Sequence, residues 1–110
     1  MILDTLKKIE ARLNASATLS DESRAVLEAL LGDLRREIGS LPHERAEEAE
    51  SIAAFTESSA REALRETRDP DLLDAALHGL RTSVRHVEAS HPKLTEVVNG
   101  ICQQLSNLGI

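Results

Sequence analysis

Apolar residues return along this chain at alternating steps of three and four, the spacing that keeps them on one face of an α-helix. Ile2, Leu6, Ile9 and Leu13 mark a first helix over about Ile2–Ala15. After the short connection 15–19, Ser20 stands ready to cap a second helix, with Asp21 and Glu22 in its first turn, where the helix dipole favours acids. Leu27, Leu30, Leu31, Leu34 and Ile38 supply its stripe. Gly39 sits where a left-handed C-cap belongs, and Pro42 blocks continuation. So short a connection between two amphipathic helices predicts an antiparallel hairpin.

The third segment, about Glu44 to Arg68, carries a different stripe. Ala46, Ala49, Ala53, Thr56, Ala60 and Ala63 recur at helical spacing, and only Ile52, Phe55 and Leu64 are large. Small residues let helix backbones approach closely, yet each alanine buries little area. Residues 43–69 hold eight acids and four bases, a net −4 of the chain's −6, so this stretch reads as the most solvated part. Asp69 and Pro70 then open a fourth helix as N-cap and first helical residue. Leu73, Leu77, Leu80, Val84 and Val87 run down it to about Ala89, because Pro92 disfavours helical geometry at His91.

Pro92 opens the fifth helix, striped by Leu94, Val98, Ile101, Leu105 and Leu108. From Val97 onward, 14 residues carry no charged or histidine side chain, in a chain that is 29% charged. A helix without charge on its outer face is commonly covered by something. Gly109 fits the left-handed residue of a Schellman stop, which would fold Ile110 back onto Leu105.

Composition agrees with five helices and no strands. The chain has 110 residues, among them 17 Leu and 14 Ala but one Phe and neither Tyr nor Trp. Leu and Ala favour helices, while the scarce aromatic and β-branched types favour strands. The expected fold is a single all-α domain of about five helices, built from helical hairpins around an aliphatic core and completed by self-association.

Several function classes lose ground on the same residues. Aromatic side chains commonly line small-molecule pockets and stack single-stranded nucleic acid, and only Phe55 is on offer. A net charge of −6 opposes binding to a phosphate backbone, so no nucleic-acid partner is expected. The N-terminal residues mix acid and base without a basic region leading into an apolar run, so no signal peptide is expected. No uncharged apolar stretch approaches the length of a membrane span, so no membrane partner is expected either. The lone Cys102 excludes an intrachain disulfide and suits a cytoplasmic setting.

Candidate chemistry is sparse. Glu88 and His91 have the Glu-x-x-His spacing of di-iron helical bundles, but only one copy is present, and it falls at a helix break. His43 with Glu47, and Asp74 with His78, share helical faces as isolated pairs. Cys102 flanks the terminal stripe and reads as a packed residue. The chain has no phosphate-binding glycine loop, nucleophile elbow or paired Cys-x-x-Cys. No catalytic residue, cofactor or metal site is therefore assigned.

Two segments do have a likeness. Leu19-Ser20-Asp21-Glu22-Ser23-Arg24 leads into a Leu-rich helix, and Val87 to Thr95 holds Ser90-His91-Pro92. With the closing Leu105-Ser106-Asn107-Leu108-Gly109-Ile110, they resemble a bacterial family known as domain of unknown function 4404, over about residues 1–38 and 74–110. The resemblance implies a small helical bacterial protein and brings no catalytic residues. Family members are shorter, so it also implies that the acidic, Ala-striped segment 43–68 is an insertion or an extended middle.

The functional expectation is a non-enzymatic interaction protein that forms homo-oligomers. Leu94, Val98, Ile101, Leu105, Leu108 and Ile110 are the candidate interface. The alternative is an adaptor whose acidic face of Glu44, Glu47, Glu48 and Glu50 holds a basic, as yet unidentified protein partner. A metal-binding helical bundle is the remote third reading.

Overall fold

The computed structural model describes residues 1–108. Five α-helices follow one another: α1 Ile2–Ala15, α2 Asp21–Gly39, α3 Ala46–Ala63, α4 Pro70–Ser83 and α5 Pro92–Leu108, with one 3-10 turn at His43–Arg45 before α3. The all-α expectation holds, and the described residues contain no strand. No helix among them is long and apolar enough to cross a membrane. The expected glycine stop, with Ile110 against Leu105, lies outside the described residues.

Local signals set most of the boundaries. The Ser20 hydroxyl accepts from the Ser23 N–H at 3.1 Å, and an Asp69 carboxylate oxygen accepts from the N–H groups of Asp71 at 3.0 Å and Leu72 at 3.3 Å. Each cap satisfies donors that the first helical turn would otherwise leave open. At the end of α2 the expectation fails, because no described glycine has positive φ. Gly39 is the last helical residue, and Ser40 continues the right-handed path at φ −88° and ψ −6°. The turn tightens: the Ser40 N–H reaches the Arg36 and Glu37 carbonyls, and the Leu41 N–H reaches Ile38. With Pro42 following, the chain leaves α2 without a left-handed residue.

Two helices are shorter than their patterns suggest. α3 stops at Ala63, not Arg68, because Arg65, Glu66, Thr67 and Arg68 are all exposed and give the helix nothing to pack. α4 stops at Ser83, not Ala89. There the Ser83 hydroxyl donates to the Leu80 carbonyl at 2.6 Å, a bond that competes with the helical ladder. Tight turns follow, with the Arg85 N–H on Thr82 and the Val87 N–H on Val84. Val84 and Val87 stay fully buried all the same, so the stripe outlives the helix.

The helices pack as a ring in the order α1, α2, α5, α4, α3 and back to α1, with α3 also touching α5. One end of the molecule gathers the α1–α2 turn, the last residues of α3 and the end of α5, where Leu19, Leu64 and Leu108 line a common cleft. The other end joins the start of α1, the end of α2 and the start of α3. Successive helices therefore run up and down, and α1 and α3 are parallel neighbours.

The helix expected to be most solvated is central. α3 buries Ala49, Ile52, Ala53, Thr56, Ser59, Ala60, Glu62 and Ala63 against three other helices. Its small side chains make this possible, since they let neighbouring backbones close in. The two buried hydroxyls cost little because each has a partner one turn back: Thr56 donates to the Ile52 carbonyl at 2.7 Å and Ser59 to Phe55 at 2.8 Å. They are structural groups.

Arg24 locks the first hairpin. Its guanidinium donates to the carbonyls of Leu13 at 3.0 Å, Ser16 at 2.8 Å and Leu19 at 3.3 Å, and to Asp21 at 3.1 Å. Carbonyls at the end of α1 have no helical donor, and one rigid fork supplies several at once.

Candidate functional site

The terminal stripe is covered from within. Leu94, Val98, Ile101 and Leu105 are at most 2% exposed, and Leu108 is half-buried against the same core. Their cover is α2 and α4 of the same chain, with α3 alongside. The candidate interface of Leu94, Val98, Ile101, Leu105 and Leu108 is thus corrected to core, because intrachain packing already removes it from water. Ile110 lies outside the described residues. α2 packs closely here: a Cβ at Gly100 would stand 3.2 Å from a Leu30 methyl, and the uncharged part of α5 turns Asn99, Gln103 and Asn107 outward.

Cys102 also belongs to the core, at 1% exposure. Burial pushes its thiol up from the ordinary value, and the charge of Arg81 only partly opposes this. A thiol held protonated in an apolar setting is a poor nucleophile.

Glu62 is buried and held by two arginines. Arg65 donates to one carboxylate oxygen at 2.7 Å, and Arg61 lies 3.5 Å from the other. The bond from Arg65 is the main reason its carboxyl stays below the usual range, with burial opposing it. Glu57 stands between Arg12 of α1 at 3.9 Å and Arg61 at 3.8 Å. These five residues form one charged seam joining α1 to α3.

Two grooves are wide enough to receive a partner. The first, about 570 Å³, lies at the end formed by α1, α2 and α3. Ile2, Leu3, Leu6, Ile38, Leu41, Pro42, Ala46 and Ala49 provide its apolar wall. Its polar rim is Arg35, His43 and Arg45, and no carboxylate lines it. Arg45 pairs with Glu48 at 3.3 Å, whereas Arg35 has no ion pair among the described residues. Leu3 is 49% exposed at the edge.

The second groove, about 480 Å³, runs between α3 and α4. Glu47, Glu48, Ser51, Phe55, His78, Thr82, Ser83 and His86 line it, with Phe55 lying over Gly79. Of the expected acidic face, Glu47 and Glu48 enter this groove, while Glu44 and Glu50 are exposed outside it. No three His, Cys, Asp or Glu side chains among the described residues stand close enough together to hold a metal ion. His91 sits in the link before α5, its Nδ1 2.9 Å from the Ser90 hydroxyl, so Glu88 and His91 do not share a helical face.

Sequence reasoning missed the first groove and Arg24. Leu3, Arg35 and Leu41 lie far apart in the chain, and no periodicity signals their meeting at one end of a bundle. Set against known families, characterised proteins and solved structures, the chain finds no match.

Proposed function

We propose that this chain is a non-enzymatic helical interaction protein whose docking surface is the groove between α1, α2 and α3. One observation carries the reading: in a chain of net charge −6, this groove is lined by apolar side chains, two arginines and a histidine, and among the described residues by no carboxylate. Such a lining suits an amphipathic helix that brings leucine-like side chains for the wall and carboxylates for the rim. The likeness of the end segments to the domain of unknown function 4404 family supports the same picture of a small helical protein without catalytic residues. A cytoplasmic setting goes with it, since the one thiol is free.

The test is fluorescence anisotropy with a labelled helical peptide that presents leucines at i, i+3 and i+4 flanked by glutamates. Saturable binding is expected, weakened by salt and abolished by Leu3→Asp with Arg35→Glu. Equal binding of a lysine-flanked counterpart, or none of the glutamate peptide, overturns the reading.

A second reading rests on the groove between α3 and α4. There the half-exposed Phe55 ring, with Glu47 and Glu48 close by, offers a basic side chain both an aromatic face and a carboxylate. Glu47→Gln with Glu48→Gln should then abolish capture of a lysine-rich peptide at unchanged helicity. Retained capture removes this reading.

A further inference from the structure

The cation-rimmed groove has a complement at the opposite end of the same molecule. Leu72, in the first turn of α4, is 47% exposed, although leucines elsewhere in that helix are buried. Ala75 is exposed and Ala76 half-buried, and at i+3 and i+4 they extend Leu72 into an apolar strip. Asp69 and Asp71 flank the strip, both exposed. Asp71 has no ion pair among the described residues. The nearest base in sequence, Arg68, donates to the Leu108 carbonyl.

We infer that the occupant of the groove is the start of α4 from a second copy of this chain. Leu72 enters the apolar wall beside Leu3, and Asp71 meets the free guanidinium of Arg35. Among the described residues, no carboxylate of its own molecule lines the groove or pairs with Arg35, and the acidic apolar strip is the matching chemistry that this chain itself carries. The two surfaces lie at opposite ends of a molecule 38 Å long, so one copy cannot satisfy itself. Contact between two different patches is head-to-tail, and it propagates into a ring or a filament instead of stopping at a two-fold dimer. Because it fills the groove proposed above, this assembly rests on that reading.

Mixing two broken copies tests it. Leu72→Asp removes the knob and puts an acid into the first turn of α4, where the helix dipole favours it, so folding is preserved. Leu3→Asp with Arg35→Glu removes the groove at exposed positions. Sedimentation velocity over a concentration series should show the wild type growing past twice the monomer mass, less so in high salt. Each variant alone should stay monomeric at wild-type helicity. Their mixture should form a one-to-one dimer and stop there, because only one intact knob and one intact groove remain. A wild type that is monomeric throughout, a Leu72→Asp protein that still assembles, or a mixture that stays monomeric overturns the inference. If that happens while the glutamate-flanked peptide still binds, the groove survives as a docking site for another partner. If the peptide fails as well, both readings fall.

Discussion

Phe55 of α3 packs directly on Gly79 of α4, so that a methyl group at Gly79 would stand 3.2 Å from Cζ and overlap the near edge of the ring. The ring occupies the space that a side chain at position 79 would need. The one aromatic residue of the chain is thereby left 40% exposed, as a wall of the second groove.

A coupled pair of substitutions follows from this contact. Alanine is favoured over glycine in a helix by about 1 kcal/mol, and overpacking costs about 1–3 kcal/mol. Gly79→Ala alone should therefore destabilise by about 1 kcal/mol. In a Phe55→Ala background the same change should stabilise by a similar amount, the clash being gone. Urea melts of the double-mutant cycle read the sign, and additive effects would show that the ring does not press on Gly79.

Arg24 should prove harder to replace than its surface position in the second helix suggests. Arg24→Lys keeps the charge but cannot serve three carbonyls with one planar fork. A loss of about 1–2 kcal/mol is expected, the scale of hydrogen bonds made by a charged donor. Thermal melts showing Lys equal to Arg would reduce the residue to a simple counter-charge for Asp21.

Glu62 sets a pH dependence of defined sign. Its folded carboxyl titrates below the ordinary value of 4.5 because Arg65 binds the charged form. The stabilisation is therefore present above the unfolded value and is lost as pH falls through the folded one. Arg65 is shifted up by the same bond and stays charged throughout. Wild type should be more stable than Glu62→Gln at neutral pH, with the gap closing as pH falls below the ordinary carboxylate value. A gap that persists at acid pH would assign the difference to packing.

Cys102 provides a probe of opening. A thiol buried between α4 and α5 and held protonated should react with a disulfide reagent far more slowly in the native chain than in urea. The native rate should rise as α5 is destabilised, for example by Leu105→Ala, which removes a fully buried side chain at a cost of about 2–5 kcal/mol. Rapid labelling of the native protein would mean that α5 is not packed as described.

Much of the fold is legible in the chain. Ser20, Asp69 and Pro70 open helices where their chemistry says they should, and the stripe residues are buried except Ile2, Leu30 and Leu108, which are half-buried, and Ala46, which is exposed. The ends of α3 and α4 were less legible, because they depend on whether neighbours exist to cover the next turn. Val84 and Val87 show this well: the pattern correctly marks them as core, yet the backbone there is no longer an α-helix. The candidate site was hardly legible. Its residues come from α1, α2, the link that follows, the 3-10 turn and α3, and the acidic run that stood out in sequence is split, two carboxylates in the other groove and two outside it.

Sequence alone determined the class of this protein: helical because Leu and Ala recur at helical spacing, with starts written by side chains that act within one turn. Such short-range chemistry needs no knowledge of the rest of the chain. Tertiary structure decided which helix is central and which surfaces stay open. The small-residue helix α3 takes the middle because it admits three neighbours at close range, and the apolar stripe of α5 is spent on its own chain. What was left over, a cation-rimmed groove at one end and an acidic leucine knob at the other, arises from distances between elements that no local pattern encodes.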